Sequence, residues 1–198
     1  MLAAVWIGPT LTAAAYLSGS VCFGIVAARR AGVDLRSVGS GNVGATNVGR
    51  ALGSRTARVV LFLDAAKGAL PVGVGVWLLG RLDPYTAGAA LAAVVGHCYP
   101  LYFGFRGGKG VATAAGVVAV LQPIALGAGL LTFLVLRKVT GKTSVGSLSG
   151  VLVALATVGA IDRLTPPTYA VAAIVVLVIW RHRENLSRLR QGEELDAP

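Results

Sequence analysis

Three polar blocks hold the side chains best equipped for chemistry in this 198-residue chain: GSGNVGATNVGR at 39–50, GHCYPLYFGFRGGKGVAT at 96–113 and RHRENLSRLRQGEE at 181–194. In the first, Gly39, Gly41 and Gly44 free the backbone to present successive N–H groups. Ser40, Asn42, Thr46 and Asn47 add neutral donors, and Arg50 supplies a guanidinium fork suited to oxyanions. These are the parts of a phosphate cradle. The stretch from Gly39 to Thr46 nearly spells the Walker A loop G-x-x-x-x-G-K-[ST], but Ala45 stands where the lysine is required and no strand precedes it. That argues against an ATP-type loop. The bland alternative is a flexible loop leading into a helix with Thr46 or Asn47 as its cap.

In the second block Gly107, Gly108 and Gly110 surround Lys109 just ahead of an apolar segment that starts near Val111. A helix beginning there would set free amides and the positive end of its dipole beside the lysine, and an anion is the natural occupant. The competing reading is a glycine turn with a snorkelling lysine. In the third block His182 and Asn185, three residues apart, share a face if the last apolar segment continues outward as one helix. One can bind a substrate hydroxyl while the other orients it. Arg181, Arg183, Arg188 and Arg190 read as basic anchors, and the residues from Gly192 onward as a frayed tail. Cys22 and Cys98 fall within or at the end of apolar stretches and read as packing; with no zinc-type Cys/His spacing, neither metal nor cofactor is expected.

The elements that must position these blocks are membrane helices. Apolar residues make up 55% of the chain and charged ones 13%, the composition of an integral membrane protein. The net charge of +10 raises nucleic acid as a partner, but a soluble basic module would not carry apolar runs long enough to cross a bilayer, so none is expected. Those runs cover residues 2–28, 57–80, 84–103, 111–136, 144–161 and 169–180, and a crossing needs about 20 residues. The first lacks a basic leading segment and precedes Arg29 and Arg30, so it reads as an uncleaved span.

Charge resolves the fourth run. One helix would part Lys109 from Arg137, Lys138 and Lys142; two short helices meeting at Gln122 and Pro123 return all four to one side. The first of these would rise only about 16 Å and would have to be shielded by its neighbours. The expected fold is therefore an all-α, polytopic integral membrane bundle of about seven transmembrane helices, some short, with the N-terminus outside and the C-terminus cytoplasmic. A single domain spans 1–198. Only Arg81 and Arg163 then lie outside, Lys67 lies within the membrane one turn from Asp64, and all three polar blocks share the cytoplasmic face. Gly68, Gly73, Gly75, Gly88, Gly127 and Gly129 read as points where helices approach closely.

In this order and at these spacings, the blocks closely resemble the bacterial membrane glycerol-3-phosphate acyltransferases that use acyl phosphate as donor, the PlsY family. The resemblance runs from Ser18 to Glu193 and includes DAAKG at 64–68 and KTSVGSLSG at 142–150. It implies transfer of a fatty acyl group from acyl phosphate to the sn-1 hydroxyl of glycerol 3-phosphate, giving lysophosphatidic acid and inorganic phosphate in phospholipid synthesis. The implied setting is the cytoplasmic face of a bacterial inner membrane, among membrane lipids and without a required protein partner. The residues implied as catalytic are Ser40, Arg50, Lys109, His182 and Asn185. Gly39, Gly41, Gly44, Thr46, Asn47, Gly107, Gly108, Gly110 and Ser147 would hold substrate, and Glu193 would be structural.

An acyl phosphate is already activated, so direct attack by the glycerol hydroxyl needs no acyl-enzyme. The proton would go to His182 or, as the resemblance suggests, to a phosphate oxygen of the donor. Val43 stands where the family often has proline, and Arg106 where lysine is usual. The H-x-x-x-x-D motif of coenzyme A-dependent acyltransferases is missing: Tyr102 follows His97 at that spacing and Ser187 follows His182. A transporter would place its binding groups near the midplane and repeat them, whereas here they gather at one face.

Overall fold

Proline, aspartate and glycine punctuate the chain into helices. Pro84, Pro123 and Pro166 each open one at a position where the missing N–H costs nothing. The Asp83 carboxylate accepts from Tyr85 N at 2.8 Å, and left-handed glycines at Gly141 and Gly192 end two others. The computed structural model describes residues 2–197, and the regular elements among them are all helical. In chain order these are α1 (Leu2–Gly19), α2 (Phe23–Arg30), α3 (Ala45–Leu79), α4 (Pro84–Cys98), α5 (Val111–Leu121), α6 (Pro123–Thr140), α7 (Thr143–Asp162), α8 (Pro166–Arg181) and α9 (Arg183–Gln191). Short 3₁₀ turns cover Leu35–Ser37 and Leu101–Phe103.

Four stretches are long and apolar enough to cross a membrane: Trp6–Arg30, Ala45–Leu79, Pro123–Thr140 and Thr143–Asp162. Together with the shorter α4, α5 and α8 they make the polytopic bundle that the sequence implied. Trp77 and Phe62 are 82% and 71% exposed on α3, an arrangement that suits hydrocarbon rather than water outside them. The core is filled where α3, α4, α5, α7 and α8 meet, by Val72, Val94, Val117, Val158 and Ile174. Hydroxyls within the helices, such as those of Thr12, Thr132 and Thr157, donate to carbonyls four residues back, which satisfies them without water.

Backbones touch where glycine removes the side chain. A Cβ on Gly116 would lie 1.9 Å from Ala65 O, and one on Gly68 2.3 Å from Thr113 O, so α3 and α5 meet almost without spacing. Gly129 on α6 and Gly150 on α7 face each other in the same way. The close-packing expectation holds for Gly68, Gly75 and Gly129; it fails for Gly73 and Gly127, where an added Cβ would meet nothing within 4 Å.

The hairpin at Gln122 and Pro123 is present, and α5 is its half-length first arm. Its buried C-terminal end is met by Arg81, which donates to Leu121 O at 3.3 Å and pairs with Asp162 at 2.6 Å. Gln122 Nε2 donates to the other oxygen of Asp162 at 3.2 Å.

Elsewhere the elements differ from expectation. The first apolar run is two helices parted at Ser20–Cys22, because Lys67 Nζ takes the Val21 carbonyl at 2.6 Å and holds it out of the helical ladder. Helix α3 begins twelve residues before its apolar run, and Gly53 (φ 83°) kinks it, so its first two turns form a separate arm that carries Thr46 and Arg50. The last span stops at Arg181, and α9 starts afresh after His182. The residues after Gly192 are not frayed: Lys142 Nζ donates to Glu194 O, Arg50 to Asp196 O and Ala197 N to Gly141 O. Pro198 lies outside the described residues.

Candidate active site

Neither Thr46 nor Asn47 caps the arm that opens α3. Gly44 is its N-cap and offers no side chain. Asn47 is fully buried: its amide nitrogen donates to Leu35 O and Val38 O at 3.0 and 2.9 Å, and its oxygen accepts from Ser40 N at 3.1 Å. With both amide N–H donors engaged, Asn47 shapes the loop and has no donor left for a phosphate. Gly39 (φ 53°) and Gly41 (φ 67°) take left-handed turns, and a Cβ on Gly39 would sit 2.6 Å from Asn47 Oδ1. The loop thus wraps around Asn47 and carries Ser40 and Thr46 to the rim of a cavity, with Arg50 one turn further along the arm.

The Lys109 turn is held by its neighbours rather than left open. Gly107 N and Gly108 N donate to Cys98 O and His97 O at 3.2 and 3.1 Å, so these two amides are not the free nest that the glycine pattern suggested. Arg181 takes the opposite side of the turn, donating from Nε to Gly108 O at 3.0 Å and from Nη2 to Gly107 O at 2.8 Å. Gly110 (φ 87°) then turns the chain into α5 and itself lines the cavity.

Lys109 Nζ donates to Asn185 Oδ1 at 2.5 Å, and Asn185 Nδ2 donates to Glu194 Oε1 at 2.6 Å. Arg188 Nε closes the chain on Glu194 Oε2 at 2.9 Å. Burial, with Arg188 nearby, pushes the Lys109 ammonium down to about 8, opposed by Glu194. Burial works against the Glu194 charge, but hydrogen bonds from Asn185 and Arg188 prevail and hold its carboxyl below the usual glutamate value. His182 Nδ1 lies 2.7 Å from Val178 O; a carbonyl only accepts, so Nδ1 carries the proton and Nε2 keeps its lone pair. Burial pushes this imidazole down to about 4, so it is neutral at physiological pH.

One cavity of about 270 Å³ collects these groups. Ser40, Gly44, Thr46, Arg50, Lys109, Gly110, Ser147, His182 and Asn185 all line it. Gly39, Gly41, Asn47, Gly107 and Gly108 stand behind the lining and set its shape. From this polar end the cavity runs between apolar walls that include Leu126, Leu130 and Phe133 of α6 and Val171 and Ile174 of α8.

The sequence of residues 10–192 matches the family model for glycerol-3-phosphate acyltransferase. The chain belongs to the glycerol-3-phosphate acyltransferase family. A family member from Anaeromyxobacter sp. (strain Fw109-5), a glycerol-3-phosphate acyltransferase, is 50% identical over 193 residues that cover 95% of each chain. The crystal structure of PlsY (YgiH), an integral membrane glycerol 3-phosphate acyltransferase, in its glycerol 3-phosphate form superposes with a TM-score of 0.94 at 41% identity, covering 96% of both chains. Its lysophosphatidic acid form superposes at 0.91 and 40% identity, covering 96% of this chain and 94% of that one.

Measured against this family fold, the sequence reading missed several residues. Glu194, not the exposed Glu193, is the buried carboxylate of the site. The signal was Gly192: a left-handed C-cap (φ 75°) reverses the chain and returns the next residues to the helix face that carries Asn185 and Arg188. Arg181 and Arg188, read as anchors, are bound to the site itself. Lys67 and Asp64 pair at 2.8 Å as anticipated, but His97 joins them with Nδ1 3.7 Å from Asp64 Oδ1, and both Asp64 and His97 reach the cavity lining.

Proposed function

We propose that this chain, as a single domain over 1–198, transfers a fatty acyl group from acyl phosphate to the sn-1 hydroxyl of glycerol 3-phosphate, yielding lysophosphatidic acid and inorganic phosphate. The observation that carries the reading is one cavity with two kinds of wall. Arg50 and Lys109 stand at its polar end, while Leu126, Leu130, Phe133, Val171 and Ile174 line the rest. From His182 to Val171 the wall of α8 rises about 16 Å, enough for a long apolar chain to lie with its polar head among the cations. Glycerol-3-phosphate acyltransferases among the relatives, and the glycerol 3-phosphate and lysophosphatidic acid forms of PlsY, point the same way.

The chemistry follows from the groups present. Two phosphates of like charge must be brought together, and Arg50, Lys109, Ser40 and Thr46 supply the charge and donors to do so. Among the described residues, Arg50 gives one N–H to Asp196 O and keeps the rest of its fork available. The glycerol hydroxyl attacks the acyl carbonyl, the new ester C–O bond forms and the carbonyl–phosphate C–O bond breaks, with phosphate leaving on its electron pair. His182 Nε2 can accept the hydroxyl hydrogen bond, but an imidazole pushed down to about 4 is a weak base. The donor phosphate gains basicity as its bond to the carbonyl breaks and it departs as inorganic phosphate, so it holds a proton better. The proton therefore passes to donor phosphate, and His182 with Asn185 orients the hydroxyl. The concentration of basic residues around the site supports a cytoplasmic face for it, and the bacterial relatives support an inner membrane.

The test is phosphate release from purified, detergent-solubilised protein given palmitoyl phosphate, with and without glycerol 3-phosphate, and palmitoyl-CoA in parallel. Release that requires glycerol 3-phosphate, produces lysophosphatidic acid and is absent with palmitoyl-CoA supports the reading. Equal turnover with palmitoyl-CoA overturns the donor assignment.

A further inference from the structure

Arg181 directly precedes His182 at the end of α8, where a membrane protein commonly places a basic anchor. An anchor needs only charge, and its side chain is free to reach headgroups. Arg181 does neither. It is half-buried, its guanidinium lies over the Tyr99 ring at 5.3 Å, and two of its N–H groups end on the consecutive carbonyls of Gly108 and Gly107. The Nε–Nη2 edge of the planar fork thus presents two parallel N–H groups to adjacent carbonyls, a geometry that a compact ammonium does not reproduce.

The same turn is fixed from its other face by α4. Gly107 N and Gly108 N are held by Cys98 O and His97 O. A Cβ on Gly108 would stand 2.3 Å from His97 Nε2, so the imidazole lies flush against the turn. The ring is backed in turn by Asp64, which Lys67 fixes at 2.8 Å. Between Arg181 on one side and His97 on the other, the backbone ahead of Lys109 has its carbonyls and its amides bound.

We infer that Arg181 is a positioning residue: its two hydrogen bonds, working against His97, set the Gly107–Gly110 turn and so aim the Lys109 ammonium into the cavity. It acts through Lys109 and touches no reacting atom. The kinetic part of the test rests on the acyl-transfer reading; the exchange part does not.

The experiment compares Arg181→Lys with wild-type full-length protein in detergent. It reads kcat and KM for glycerol 3-phosphate, and hydrogen exchange in the peptide that contains Gly107 to Gly110. Arg181→Lys keeps the charge and loses the fork. The expected result is a kcat/KM about 100-fold lower, as for a misplaced catalytic group, with faster exchange confined to the turn and an unchanged melting temperature. Wild-type kinetics and exchange in Arg181→Lys would reduce Arg181 to an anchor and overturn the inference. If Arg181→Lys does not accumulate, Tyr99→Leu removes the ring beneath the guanidinium and leaves the charge. Faster exchange at the turn then supports the inference, and wild-type exchange overturns it. Should wild type itself fail to transfer acyl groups, the functional reading falls, while the exchange comparison still decides the role of Arg181.

Discussion

Lys109 and Glu194 face each other across the Asn185 amide, and their chemistry leaves that amide a single orientation. Lys109 can only donate and Glu194, ionised, can only accept, so Oδ1 turns to the lysine and Nδ2 to the carboxylate, at 2.5 and 2.6 Å. The pair joins the second polar block to the end of the chain.

Replacing Glu194 with glutamine removes that logic, because a glutamine can offer either end of its amide. Glu194→Gln also removes the carboxylate that pairs with Arg188. A charge-assisted hydrogen bond contributes about 1.5–3 kcal/mol, so kcat/KM is expected to fall about 10- to 100-fold. Steady-state kinetics beside a thermal melt in detergent checks this, and unchanged turnover in a folded variant contradicts it.

Lys109→Ala removes the one ammonium aimed into the cavity among the described residues that line it. Loss of a preorganised charge at the reacting centre is worth about 10²–10³ in kcat. The expected outcome is near-complete loss of acyl transfer from protein that still elutes and melts like wild type; retained activity would sink the phosphate-clamp role.

The pH profile should report the same lysine. Its pKa of about 8 lies below the ordinary lysine value, so the ammonium is present at neutral pH and is lost as pH rises through about 8. The expectation is a KM for glycerol 3-phosphate that climbs above that pH, measured at constant ionic strength. A flat KM up to pH 10 would show that Lys109 does not bind the phosphate as a cation.

Acid should release the tail. Glu194 has a folded pKa below its unfolded value near 4.5, so its contribution to stability is fully present above that value and is lost as pH falls through the folded one. Hydrogen exchange of residues 192–197, corrected for the intrinsic pH dependence, should lose protection in that window before the helices of the bundle do.

Asp64→Ala leaves Lys67 and His97 buried without their carboxylate. Removing one partner of a buried pair costs about 3–5 kcal/mol, so the main effect should be a lower melting temperature in detergent. Because Asp64 also reaches the cavity, a folded variant with no turnover would assign it a part in the reaction instead.

Composition and hydrophobic run length by themselves determined an all-helical membrane bundle, because each span's solvent is written in its own residues. The break at Gln122 and Pro123 was legible from the balance of charge across the whole run, with proline suited to open the second helix; proline alone does not decide it, since Pro9 and Pro71 sit inside α1 and α3. That the three polar blocks form one site was legible in their clustering of glycine, basic and amide residues, and members of all three do line one cavity. Tertiary structure alone decided which member of each block faces the cavity. Asn47 turns inward because Leu35 O, Val38 O and Ser40 N lie within its reach, and Glu194 rather than Glu193 enters the site because Gly192 sets the direction of the returning chain. Whether Arg181 is an anchor or a clamp depends on two carbonyls more than seventy residues away. Spacing along one helix reports which residues share its face; what that face meets depends on the register of another helix, and only packing sets that.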